Sequence, residues 1–272
     1  VKALTEEVQK HDAAAAAHVH FGSTSQDVLD TALVLCLKPC LEVADRVLGT
    51  AAAQLAAHAR KHARTLMPGR TLMQPASPIT AGLKIARWAN SVSRCRSRLS
   101  AAAGRALSVQ LGGAVGALDS LGANRAAVRT GVARRLGLAD GPAWHTQRDA
   151  LLALAAELAI LIGAIGKIAQ DLALLSQAEV QEMQESQGGG GSTAMPHKRN
   201  PVACLQALAA AVRAPGLLAT LLHAANQEHE RALGGWQAEL ATWPDLVEAV
   251  GGALDAIERI AAGLVVNPER MA

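Results

Sequence analysis

Between Gly188 and Pro201 the chain reads GGGGSTAMPHKRNP, which places two hydroxyls (Ser192, Thr193), a cation (Lys198) and an amide (Asn200) behind four glycines. Glycine lowers the cost of φ > 0 and lets backbone N–H groups come close to a ligand, so the stretch is suited to fold around a small anion. Asn200 stands where an N-cap belongs and Pro201 at the first helical position. That predicts a helix N-terminus, with its partial positive charge, beside Lys198. The plain alternative is a flexible glycine–serine linker. A linker, however, has no use for Met195 and Pro196 stiffening its exit, or for a capped helix directly after it. A Walker phosphate loop is excluded because no Gly-Lys-Ser/Thr follows the glycines.

Other chemistry-bearing residues fall into short blocks separated by helical patterns. In His20-Phe21-Gly22-Ser23-Thr24-Ser25-Gln26-Asp27, Ser25 or Asp27 is expected to cap a helix running through Leu33, Leu37, Leu41 and Leu48, with a kink at Pro39. That helix ends in a basic run, His58 to Arg64, read as a solvated face. His58 and His62 are spaced i,i+4 but lack the acidic partner of a zinc-protease helix. In Met67 to Pro78 the prolines and Gly69 predict a loop, with Pro78 opening the helix that carries Trp88. Gly104 to Gly122 is expected to connect helices, followed by a short helix from Asn124 to Leu136. The longest helix is expected from Asp149 to about Glu185, and a last one from about Leu246 to Ala262. Before and between these lie His145 and Arg148, readable alone as a helix-turn residue and a surface ion-pair partner, and Arg231, suited to pair bidentately with a carboxylate.

Composition limits what such groups can serve. The chain has 272 residues, half of them hydrophobic, with 26 basic and 23 acidic side chains, so the net charge of +3 demands neither nucleic acid nor an anionic membrane. Tyr is absent and Phe occurs once, which disfavours strands. An all-α, long-helix bundle follows as the expected fold class. The four cysteines, Cys36, Cys40, Cys95 and Cys204, form no CxxC pair and are expected to be free buried thiols of a reducing compartment. Glu157, Lys167 and Asp171 interrupt the apolar stretch Leu151 to Leu175, so no membrane span is expected and the location is taken as cytoplasmic. Residues 1–21 are read as the end of a longer helical region and residues 22–262 as a central bundle domain carrying the glycine-rich loop 187–200. Residues 263–272 are read as the start of a further domain that the chain lacks.

GSTAMPHKRNP is similar to the GSSxMPxKxNP signature of the fumarase/aspartase superfamily, with Thr193 in place of the second serine. HFGSTSQDVLDTAL resembles the first block of its adenylosuccinate lyase and carboxymuconate cycloisomerase branch, and GRTLMQPASP its second. WHTQRD and the stretch from Glu228 to Glu239 resemble the cycloisomerase branch in particular. The resemblance implies a tetramer-forming bundle whose sites are shared between subunits of a homotetramer, and chemistry through an enediolate-like carbanion beside a carboxylate. It implies Ser192 as the proton carrier, and His20, Thr24, Ser25, Thr71, Gln74, Lys198 and Asn200 as substrate contacts. His145, Arg148 and Arg231 join these as candidates for binding a small tricarboxylate. No metal or organic cofactor is implied.

At Leu72 the lyases carry a histidine. A leucine transfers no proton, so an adenylosuccinate-type lyase, which protonates an amine leaving group, is the weaker reading. A substrate's own carboxylate, with a pKa of about 4, leaves unaided. One proton carrier then suffices, and the resemblance to the cycloisomerase branch implies intramolecular addition of a carboxylate across a muconate double bond to give a lactone. A non-catalytic helical assembly protein is the alternative of another class; Ser192, Lys198 and Asn200 together speak against it.

Overall fold

The computed structural model describes residues 1–186, 190–191, 194–195 and 198–271. Two short helices, α1 (Lys2–His11) and α2 (Ala13–Ala16), lead into α3 (Ser25–Lys61). The hairpin β1 (Leu66–Thr71) and β2 (Gln74–Thr80) connects α3 to α4 (Ala81–Ala106). Then come the short α5 (Arg125–Leu136), α6 (Asp149–Leu175), strand β3 (Met183–Glu185), α7 (Val202–Ala224), α8 (Gly235–Gly263) and strand β4 (Leu264–Val266). The five long helices close a ring: α3 packs on α4, α4 on α6, α6 on α7, α7 on α8, and α8 back on α3, with α6 also touching α8.

Leu151, Leu154, Leu158, Ile162, Ile165, Ala169 and Leu172 recur at three- and four-residue spacing along α6 and are all buried, which is why this helix packs against α4, α7 and α8. By length and composition α6 and α7 could each cross a membrane, contrary to the expectation for Leu151–Leu175. The bundle uses α6 as a core helix, pairing its Glu157 with Arg98 and its Asp171 with Trp88 Nε1. Cys95 and Cys204 are buried as expected, whereas Cys36 and Cys40 are exposed on α3.

Cross-links between helices fix their directions. Gly82 and Arg96 of α4 meet Ala59 and Asp45 of α3, Trp88 and Arg98 of α4 meet Asp171 and Glu157 of α6, and Gly235 and Gly252 of α8 meet Ala224 and Gln206 of α7, so these consecutive long helices run antiparallel. One end of the bundle therefore holds the N-termini of α3, α6 and α8. The other holds the hairpin, the N-termini of α4 and α7, and the small β3–β4 sheet.

Several sequence expectations change. Met67–Pro78 is not a loop but the greater part of an antiparallel hairpin, with Met67 paired to Ile79 and Thr71 to Gln74. Leu72 and Met73 form its two-residue turn at φ 48° and 66°, the left-handed pair that matches strand twist. Prolines are tolerated because each strand of a two-stranded ribbon has a free edge. At Gly69 a Cβ would lie 2.5 Å from the Ser77 carbonyl oxygen, so the close approach there requires glycine. The next helix begins at Ala81, not Pro78, with Thr80 Oγ1 accepting from Leu83 N at 3.0 Å. Helix α6 ends at Leu175, where the apolar period stops, and α3 with 37 residues is the longest helix. Helix α8 starts at Gly235, eleven residues before the expected Leu246. Pro39 lies inside an α3 that runs unbroken past it.

The basic end of α3 is not wholly solvated, since His62 is buried and its Nδ1 lies 3.2 Å from Thr65 Oγ1. Burial, and then the Lys61 charge, hold both His58 and His62 below the ordinary imidazole value of 6.5. The folded state thus binds fewer protons than the unfolded chain just below that value, so this stability is present above pH 6.5 and is lost as the pH falls. Urea midpoints measured at about pH 7.5 and about pH 5.5 should therefore fall with acid, and fall less in the His58→Gln/His62→Gln protein.

Candidate active site

At the first end of the bundle the chain builds a buried polar platform under α3. Thr24, not Ser25 or Asp27, is the N-cap; Asp27 supports it by accepting from Thr24 N at 2.9 Å. The same carboxylate accepts from Gly113 N (2.9 Å), Gly112 N (2.9 Å) and Gln110 Nε2 (2.8 Å). These bonds pin the glycine-rich 111–117 segment against the helix start, and Thr31 Oγ1 donates to Gln110 O at 2.9 Å beside them. On this platform Arg231 Nη2 donates to Thr24 Oγ1 at 2.5 Å and to Ala114 O at 3.3 Å. Ser25 is exposed in the first turn of α3, and half-buried His20, at φ 62°, takes a hydrogen bond from Ser23 Oγ on its carbonyl. The structure thus brings His20, Thr24, Ser25 and Arg231 to one place.

His145 lies just beneath, buried. Gln110 Oε1 accepts from Trp144 N at 2.6 Å, so its Nε2 faces the His145 Nδ1 at 3.2 Å and donates to it. That assigns the proton to His145 Nε2, which has no hydrogen-bond partner among the described residues.

Arg148 is placed differently from both sequence readings. Its side chain is 1% exposed, between Asp30 (2.7 and 3.2 Å) and Glu239, and its guanidinium lies 5.0 Å from the centroid of the Trp144 ring. Trp236 Nε1 donates to the same Asp30 at 3.1 Å. Arg148 therefore clamps the N-terminal turns of α3, α6 and α8, and its charge is directed to internal carboxylates rather than to a ligand or to solvent. Burial pushes the Glu239 carboxyl above its ordinary range, with the Arg148 guanidinium pulling the other way. Asp30 and Glu239 escaped the sequence reading because nothing in their spacing marks a pair 209 residues apart in Asp30–Glu239 numbering.

The other candidates lie at the opposite end. Thr71 and Gln74 are exposed and flank the hairpin turn, where Leu72 is 97% exposed. The hairpin is held to the bundle by Arg70, which meets buried Glu182 bidentately at 2.8 and 2.5 Å. One residue beyond Glu182, β3 pairs with β4, fixing the stem from which the glycine-rich loop departs. Ser192 and Thr193 lie outside the described residues. Lys198, Asn200 and Met195 line a cleft of about 550 Å³ together with Gln181, Gln184 and Glu185.

Asn200 is not the N-cap of α7. Its backbone N and side-chain Nδ2 both donate to Gly190 O, at 3.0 and 2.9 Å, stapling the loop to itself. The α7 N-terminus is occupied instead by Glu185, whose Oε2 accepts from Ala203 N at 3.1 Å and whose Oε1 accepts from Cys204 N at 2.8 Å. The partial positive charge expected beside Lys198 is thus already met by an internal carboxylate. Burial, with Glu185 beside it, pushes the Cys204 thiol well up. Among the described residues no group of three or more His, Cys, Asp or Glu side chains could hold a metal ion.

The two groups are far apart. Helix α3 separates them with 37 residues, about 55 Å at roughly 1.5 Å per residue. Within a single chain the candidate residues thus form two groups at opposite ends of the bundle.

The family described as "Lyase" matches residues 1–216. The chain is 47% identical over 275 residues to a 3-carboxy-cis,cis-muconate cycloisomerase of Bradyrhizobium diazoefficiens, covering 100% of this chain and 61% of that protein. It is 40% identical over 282 residues to a nitrosuccinate lyase of Streptomyces davaonensis, covering 59% of it. The crystal structure of the 3-carboxy-cis,cis-muconate lactonizing enzyme from Pseudomonas putida superposes with a TM-score of 0.92 at 43% identity, over 99% of this chain and 60% of that one. This chain spans about three-fifths of the length of these relatives. With the signature at Gly191–Pro201 and the ring of long helices, it belongs to this lyase family, the fumarase/aspartase superfamily.

Proposed function

We propose that the chain is the catalytic bundle of a cytoplasmic cycloisomerase that converts 3-carboxy-cis,cis-muconate to 4-carboxymuconolactone, as a homotetramer and without a cofactor. The observation that carries this reading is Leu72. It stands at the hairpin turn between Thr71 and Gln74, where a reaction with a basic leaving group would want a proton donor. Lactonisation wants none, because the group that adds or departs is a carboxylate.

The carboxylate attacks the conjugated double bond, and negative charge develops on the neighbouring carboxylate. Lys198 and loop amides stabilise that charge, each donor contributing roughly 3 kcal/mol in the manner of an oxyanion hole. Ser192 delivers the proton to the carbanion and removes it in reverse. Arg231, with Thr24 and Ser25, binds a further carboxylate of the tricarboxylate from another subunit. Exposed apolar side chains on the helix faces, among them Val28, Leu29 and Val43 of α3 and Leu205, Val212 and Leu222 of α7, support that association.

The test is the ultraviolet absorbance of 3-carboxy-cis,cis-muconate incubated with the protein and with its Ser192→Ala variant. The diene signal should disappear with the first and persist with the second. Persistence with both, while the protein is folded and tetrameric, would remove this activity from the chain.

A further inference from the structure

We propose that His145 is a binding residue that donates its Nε2–H to the substrate carboxylate held by Arg231, through an opening that Gly116 leaves by having no side chain. The inference deepens the proposed function and rests on it for the identity of the ligand as a tricarboxylate. The residue is fixed at two points. Its carbonyl accepts from Gln26 Nε2 at 2.9 Å, and its Nδ1 accepts from Gln110 Nε2 at 3.2 Å. The Gln110 amide is held the right way round, because its Oε1 takes the Trp144 N–H at 2.6 Å and its Nε2 also donates to Asp27 Oδ1 at 2.8 Å. Gln110 is thus a positioning residue, and Nε2–H is the ring's remaining donor. His145 is 3% exposed, and a donor at that depth without an acceptor among the described residues is a costly arrangement that a ligand oxygen relieves.

The opening is at Gly116. A Cβ on this residue would lie 3.0 Å from His145 Cε1 and 3.7 Å from Nε2, and the three heavy atoms nearest to it, chain neighbours aside, all belong to the ring. The space a side chain would take is therefore space in which an oxygen can stand about 2.7–3.2 Å from Nε2. Gly116 is half-buried and has φ 85°, so the ring edge is covered on that side by a left-handed glycine of a segment that reaches the surface. Two residues earlier Ala114 O accepts from Arg231 Nη2 at 3.3 Å, which places the guanidinium on the same segment. Among the described residues only Nη2 of Arg231 is engaged, with Thr24 Oγ1 and Ala114 O, so its other donors remain for a carboxylate. One carboxylate then meets a cation and a fixed neutral donor together, which orients it as a cation alone would not.

The experiment is calorimetric titration of tricarballylate, an unreactive tricarboxylate, into the intact protein and into His145→Gln and His145→Asn. A glutamine amide reaches as far as Nε2 and an asparagine amide only as far as Nδ1, so each variant keeps one of the two ring contacts. The Gln variant should bind within about threefold of wild type, since the outer donor is retained. The Asn variant still accepts from Gln110 but lacks that donor, and should bind about tenfold to 100-fold more weakly, the range for a hydrogen bond to a charged group. An imidazole that served only to hold Gln110 would give the reverse order, and that order overturns the proposal. Equal binding by all three proteins, or none by the wild type, also overturns it. Should either variant fail to fold by circular dichroism, the intact protein decides: with 15N-labelled histidine, the His145 Nε2–H resonance should shift as tricarballylate is added, and an unmoved resonance counts against the proposal just as firmly. Parallel assays of carboxymuconate turnover separate this contact from the reaction. Tricarballylate binding that follows His145 in a protein without turnover keeps the contact and removes the proposed substrate. Turnover, with tricarballylate binding indifferent to both substitutions, does the reverse.

Discussion

Co-expressing Arg231→Met and Lys198→Met chains should restore turnover well above that of either variant alone. Under the proposed function each substitution removes a charged donor to a substrate carboxylate, a contact of about 1.5–3 kcal/mol, so each homogeneous protein should lose roughly 10- to 150-fold in kcat/KM. The two residues sit at opposite ends of a bundle whose α3 alone has 37 residues, about 55 Å of helix. The proposed site is whole only if it takes Arg231 from one chain and Lys198 from another. Mixed tetramers contain some sites that lack both residues and some that have both, and the latter carry the recovered activity. The measurement is loss of the carboxymuconate diene by co-expressed, co-purified chains against each variant alone. Were the two residues to serve one site within a chain, mixing would only average two low activities, and that outcome would refute the shared site.

Replacing Arg148 by Met should destabilise the fold by about 3–5 kcal/mol, because it leaves buried carboxylates without their cation. Asp30 and Glu239 have side chains only 2% and 4% exposed, and Arg148 is the guanidinium that bridges them. Glu239 would then carry its charge in a poorly solvated pocket; burial already holds its carboxyl up, so it takes a proton more readily as the pH falls. The loss should therefore shrink as the pH is lowered. The double substitution Arg148→Met with Glu239→Leu should cost less than Arg148→Met alone, since a missing charge is milder than an unpaired one. Urea midpoints at fixed protomer concentration read both effects. A loss below about 1 kcal/mol would mean that water reaches the clamp and screens it.

The sequence makes the helices legible where apolar period and burial coincide, as in α6, because a side chain's face follows from its position. It makes the hairpin illegible: Pro68, Pro75 and Pro78 read as loop punctuation, and only the pairing of Met67 with Ile79 and the left-handed Leu72–Met73 turn reveal two strands. Within the site, the hydroxyls, Lys198 and Asn200 announce themselves by type and spacing. Their partners do not. That Arg231 meets Thr24, or that Glu185 rather than Asn200 serves the start of α7, depends on contacts between elements far apart in the chain. Arg148 shows the limit most clearly, since an arginine two ångström-scale bonds from a ligand and one clamped between Asp30 and Glu239 have the same neighbours in sequence.

The ring of long helices also sets a rule for how such a chain can change over generations. Its long helices act as struts whose lengths register one partial site against the other. Inserting four residues into α3 would move Thr24 relative to the hairpin by about 6 Å while leaving each end chemically whole. Insertions in an exposed connection, such as at Gly122 ahead of α5, would shift neither end. Among relatives, length variation should accordingly gather in the connections and avoid the struts, for reasons of spacing rather than of stability.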